Sequence, residues 1–171
     1  MKTIKKFPRY PRGRMQKQKG ASLMDFLLWS ALAALFLAGV VQLYVTGSAY
    51  ANRTQTVTAV TSIKAGAESV KIINHAGVNM AKVCDERRNA VSMKICGDAR
   101  NGVGTNQYGG NYTLEPDNSN LSRVKVGVTN VDTQYIDAVA DSLSALAAGN
   151  CTQAAGCSTL TVSGNTITVT M

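Results

Sequence analysis

Lys17-Gln18-Lys19-Gly20-Ala21-Ser22-Leu23-Met24-Asp25 leads into an apolar run at 26–45, and this stretch decides the fold. Across 26–41 every residue is apolar or small except Ser30, and no positive charge follows Lys19 until Arg53. The 20 residues of 26–45 make about 30 Å of helix, the thickness of a bilayer core. Asp25 stands at the start of this run. A single carboxylate there is costly without a partner, which marks it as functional. Trp29 falls at the expected cytoplasmic interface, where tryptophans anchor.

The chain has 171 residues and a formal charge of +8, unevenly spread. Residues 1–20 carry Lys2, Lys5, Lys6, Arg9, Arg12, Arg14, Lys17 and Lys19 and no acid. Of the 18 basic residues these 8 lie before Ala21, so 10 remain against 10 acids and the rest is formally neutral. A nucleic-acid binder keeps its basic surface in the folded domain. Here the charge precedes an apolar segment, as on a cytoplasmic flank, and no nucleic-acid partner is expected. With Pro8, Pro11 and no apolar periodicity, 1–20 reads as a cytoplasmic leader.

Two processing schemes compete. An ordinary secretory signal is cut after the apolar run, and Ala49-Tyr50-Ala51 offers such a site before Asn52. The other scheme cuts ahead of the run, after Gly20, and keeps the helix. Asp25 favours the second, because a signal sequence gains nothing from an acid at the start of its apolar region.

The basic flank, Gly20, the acid five residues later and the apolar segment together resemble the processing site of a type IV prepilin. The resemblance covers about the first third of the chain. It implies cleavage between Gly20 and Ala21 by a prepilin peptidase and N-methylation of Ala21. It also implies an inner-membrane precursor that the pilus assembly machinery polymerises into an extracellular helical filament, apolar helices inside. The implied partners are copies of the chain itself, the peptidase, that machinery and a recipient-cell or host surface, in conjugative mating contact or adhesion. Asp25 stands where the family normally has glutamate, and Ala21 where it often has phenylalanine. The 20-residue leader resembles that of the type IVb subclass, which includes conjugative thin-pilus pilins. On one helix Ala21 and Asp25 are i,i+4 neighbours, so the carboxylate can meet the new ammonium of its own or an adjacent chain. The pair would set filament register more than add stability. No enzymatic role, cofactor or metal is expected. The alternatives are a minor pilin or secretion-system pseudopilin, and a secreted disulfide-bonded binding domain beginning at Asn52.

The expected fold is α+β. A long helix at 21–77, membrane-spanning at 26–45, packs its amphipathic second half on a head at 78–171. Val60, Ile63, Ala67, Val70 and Ile73 or Asn74 follow the helical rhythm. Gly39, Gly47, Gly66 and the threonines of 54–61 weaken it, and local unwinding is expected near 46–58. In the head, 121–128 alternates as a strand, with Val124, Val126 and Val128 on one face. Asp132 is placed to cap a helix over 133–148 that Gly149 stops. Gly164-Asn165 reads as the turn of a hairpin pairing Leu160 with Val169 and Val162 with Ile167.

Cys84, Cys96, Cys151 and Cys157 all follow the apolar run. An even count beyond an export segment implies two disulfides. Zinc is the competing idea, but no Cys-x-x-Cys occurs and His75 is the only histidine. Neighbours in sequence close first, giving Cys84–Cys96 and Cys151–Cys157, with long-range pairing left open. His75 has no nucleophile near it in sequence. Asp85-Glu86-Arg87-Arg88 reads as a solvated turn, and Gly102-Val103-Gly104 as a mobile loop without the glycine pattern of a nucleotide site.

Overall fold

A computed structural model describes residues 22–88 and 90–171. The expected cleavage and methylation positions, Gly20 and Ala21, lie outside the described residues. The chain forms two units, divided inside its first helix between Leu43 and Tyr44.

Helix α1 spans Leu23–Val70. Ser22 caps it: its hydroxyl accepts the Asp25 N–H at 3.2 Å, and its carbonyl accepts that of Phe26 at 3.1 Å. The expected unwinding near 46–58 does not occur. Thr54, Thr56 and Thr58 each turn the hydroxyl back onto the carbonyl four residues earlier, at 2.8–3.1 Å, so the helix accommodates their polar groups internally.

Within the second unit, α1 buries Thr56, Ala59, Val60, Ile63, Gly66, Ala67 and Val70 in the head core. It ends at Val70 rather than at His75–Gly77. Beyond Val70 the β-branched pair Ile72 and Ile73 disfavours a further helical turn. His75 is drawn inward instead. Its N–H donates to the Leu121 carbonyl at 2.9 Å, its ring Nδ1 lies 3.3 Å from the same oxygen, and its side chain is buried. Ile73 therefore leaves the core face and is exposed.

Two short helices follow, α2 at Met80–Cys84 and α3 at Met93–Cys96, tied by the Cys84–Cys96 disulfide. Then come β1 (Tyr112–Pro116), β2 (Val124–Val128), α4 (Ile136–Ser144), β3 (Leu160–Ser163) and β4 (Thr166–Thr170). The sheet is antiparallel in the order β1-β2-β4-β3. Its inward residues Tyr112, Leu114, Val124, Val126, Val128, Ile167 and Val169 share one core with α1 and α4.

The C-terminal hairpin has the expected register, Leu160 opposite Val169 and Val162 opposite Ile167. Gly164 takes positive φ in the first turn position. Val162 stays 44% exposed, because it lies at the far end of the edge strand β3. Helix α4 starts at Ile136, three residues later than expected. Asp132 instead organises the preceding turn, its carboxylate accepting Gln134 N–H at 3.1 Å and its carbonyl that of Tyr135 at 2.9 Å. The second disulfide joins Cys151 to Cys157, as expected, and no free cysteine remains.

Candidate functional site

The N-terminal part of α1 is the first feature that fold requirements leave unexplained. Fifteen large apolar side chains from Leu23 to Val45, Phe26, Trp29 and Phe36 among them, are exposed. At about 1.5–3 kcal/mol for each one fully buried, covering them is worth tens of kcal/mol. That exceeds the ~5–15 kcal/mol by which a domain is normally stable. The surface therefore demands an apolar cover. Its length and composition suit a helix that crosses a membrane, and a signal sequence has the same properties.

Asp25 lies in the first turn of this helix and is exposed. A carboxylate there also meets the positive end of the helix dipole and the uncapped N–H groups. This local role stands beside the pairing with Ala21 expected from sequence, whose geometry lies outside the described residues. Ser22 was missed as the cap. Its signal, a serine three residues ahead of an acid at the start of an apolar run, was present in the sequence.

Other sequence candidates resolve into structure. Arg87 and Arg88 sit in an exposed turn where Asp85 accepts both backbone N–H groups, that of Arg87 through its carboxylate at 2.9 Å. Gly102 and Gly104 are buried against Met80 and the Ile95 carbonyl, so the loop read as mobile is packed. The His75 Nε2 stands 3.3 Å from a Glu68 carboxylate oxygen without the alignment of a hydrogen bond. That carboxylate is held below its ordinary range mainly by Lys71, with burial opposing and Lys71, His75 and Lys64 charges assisting.

Two polar clusters in the head were not legible in sequence. Asn106 is buried and makes four bonds: Oδ1 accepts from Tyr108 and Gly110 N–H at 2.9 Å, while Nδ2 donates to the Thr129 and Asn111 carbonyls at 2.8 and 3.3 Å. It fixes the loop that delivers Tyr108 and Tyr112. The Tyr112 hydroxyl donates to Gln107 Oε1 at 2.6 Å, and burial is the main reason its pKa is pushed up to about 12. Burial also raises the Tyr108 hydroxyl, opposed by Thr56 and by the charge of Arg53.

Beside this loop Ser48, Asn52, Tyr108, Asn130, Asp132 and Tyr135 line a cavity of about 280 Å³. Comparison of the chain with protein-family models, with curated proteins and with solved structures gives no match.

Proposed function

We propose that the chain is a structural subunit of a type IV-like pilus, cut after Gly20 and polymerised through the apolar part of α1. One observation carries this reading: a helix whose apolar first part is exposed among the described residues begins with a capped turn bearing Asp25. In a filament, copies of the same helix supply the cover, and Asp25 meets the amino terminus of Ala21 to set the axial register. Before assembly the segment spans the inner membrane, with the leader's eight positive charges on the cytoplasmic side. The two disulfides and the α+β head suit an extracellular surface. The role is non-enzymatic, in conjugative mating contact or adhesion. A minor pilin or pseudopilin shares the same N-terminal features.

A second reading is favoured by the burial pattern. The buried face of α1 begins at Thr56, so a cut before Asn52 leaves the head core whole and releases a small secreted binding domain. Mass spectrometry of the mature N-terminus separates the two. The pilin reading expects a chain beginning at Ala21 and carrying a methyl group's added mass; a chain beginning at Asn52 replaces it with the second. Asp25→Ala should insert normally and lose filaments in electron micrographs. Wild-type filament numbers from that variant would remove the register role.

A further inference from the structure

We propose that the head carries a contact surface for a second copy of this chain: the Ile72–Ile73 segment of one copy, rimmed by cations, seats in the cavity between α4 and β3 of the next. The inference rests on the pilin reading, under which copies polymerise, and names where their heads meet.

The first surface follows the end of α1. Ile72 and Ile73 are 95% and 91% exposed, so two adjacent β-branched side chains stand almost wholly in water. With them Lys71, Lys82 and Arg88 line a cavity of about 370 Å³ that no acidic residue lines. Lys71 is paired with Glu68, whereas Lys82 and Arg88 form no ion pair among the described residues. A Cβ on Gly77 would lie 3.3 Å from the Lys82 Nζ, so the bare glycine leaves room for that ammonium against the same loop. Apolar groups ringed by uncompensated cations fit a partner that is apolar at its centre and anionic at its rim.

The chain itself carries that complement. A second cavity of about 370 Å³ is lined by Ala154, Leu160, Val162, Asp137 and Asp141, and by no basic residue. Val162 is exposed on the edge strand β3, which supplies the apolar centre. Asp137 and Asp141 are i,i+4 neighbours on α4, a like-charge pair that weakens a helix and gains from an added cation. One Asp141 oxygen accepts the Ala154 N–H at 2.8 Å, which ties the Cys151–Cys157 loop into the cavity wall. Neither carboxylate forms an ion pair among the described residues. A small anion on the first surface would satisfy the cations and leave both isoleucines wet; the second cavity answers both. Because the two surfaces differ, the contact is heterologous and repeats from copy to copy, as an open filament requires.

The test is zero-length carbodiimide cross-linking of the full chain in detergent, with isotope-labelled and unlabelled protein mixed equally. Only a bond between copies joins a labelled peptide to an unlabelled one. The expected product links Lys82 or Lys71 to Asp137 or Asp141, and high salt diminishes it. Lys82→Glu and Asp137→Lys should each lose the Lys82 product through like-charge repulsion, and mixing the two variants should restore a cross-link between positions 82 and 137. Ile72→Ser combined with Ile73→Ser alters side chains that the core does not use, so it stays readable should a charge variant misfold, and the same loss is expected. No mixed product at these positions, products spread evenly over the exposed carboxylates, or a product unchanged in the folded isoleucine variant overturns the proposal. The mass of the mature chain separates the two readings. A chain beginning at Asn52 that still gives the product overturns the pilin reading and leaves a self-associating head, whereas a chain beginning at Ala21 without the product overturns the contact alone.

Discussion

The Val83 side chain occupies the space that a Cβ on Gly66 would fill, and Val91 stands 2.6 Å from the same point. Gly66 is on the buried face of α1, and Val83 precedes the Cys84–Cys96 disulfide by one residue. The missing side chain is therefore part of the packing: it lets the segment carrying α2 lie close against α1.

Gly66→Ala gains about 1 kcal/mol in helix propensity. It also forces two valines aside in a filled core, which typically costs about 1–3 kcal/mol. The expected net effect is a loss of about 1 kcal/mol in the head, read as an earlier urea midpoint for the detergent-solubilised full chain. An unchanged or later midpoint would mean that the valines move freely.

Gly39 behaves differently, since no atom lies within 4 Å of the position a Cβ would take. Gly39→Ala should keep or raise the helicity of a single chain by circular dichroism. In a filament, a glycine on an apolar helix permits close backbone approach between copies. Filament yield should therefore fall while helicity does not. Equal yields would locate the helix–helix contacts elsewhere.

Alkali should act through Tyr112. Its folded pKa of about 12 lies above the ordinary value of about 10, so folding favours the neutral phenol. That contribution is complete below pH ~10 and is lost as pH climbs from ~10 through ~12. Phenolate absorbance should show Tyr112 titrating late, beside Tyr108 which burial also raises, with the ionisation of Tyr112 accompanying loss of the fold. Tyr112→Phe should cost about 1 kcal/mol at neutral pH, by breaking the bond to Gln107, and remove the Tyr112 share of the late absorbance.

Acid should act at Asp117, in the connection between β1 and β2. The Ser119 hydroxyl, at 2.6 Å, is the main reason its carboxyl sits below the ordinary range; burial opposes, and Ser119 N–H and Lys125, both at 3.2 Å, assist. A depressed carboxylate stabilises the fold fully above its ordinary pKa of about 3.9, and that contribution disappears as pH falls through the lower folded value. Asp117→Asn should lower the melting temperature at neutral pH and flatten its decline in acid. An acid-side slope identical to wild type would place the dependence on another group.

What the sequence made legible was local or strongly periodic. The 26–45 run, the 60–70 stripe of α1 and the β3–β4 hairpin about Gly164 follow from spacing alone, whereas spacing favoured both disulfide pairs and left long-range pairing open until the structure placed them. Strand β1 was hidden because Tyr112-Thr113-Leu114-Glu115-Pro116 is short, follows a glycine-rich stretch and ends in proline; its strand character comes from pairing with β2. The end of α1 was set by the long-range bond between His75 and Leu121, and the role of Gly66 by two valines far along the chain. Of the candidate site, Asp25 and the apolar run were readable. The 280 Å³ cavity was not, since it draws residues from α1, the Asn106 loop and the turn before α4.

Strand β4 is the last of the four in chain order, yet it lies inside the sheet, between β2 and β3. Order of synthesis thus runs against order of assembly. While the chain is still emerging, β1 and β2 can pair with each other and pack on the buried face of α1, but the edge of β2 that β4 will occupy stays open. The Cys84–Cys96 loop can close early, but the core cannot until residues 166–170 have arrived. A long-range pairing made last is slow and leaves sticky surface uncovered, so the interval before β4 inserts is when this chain most needs an escort.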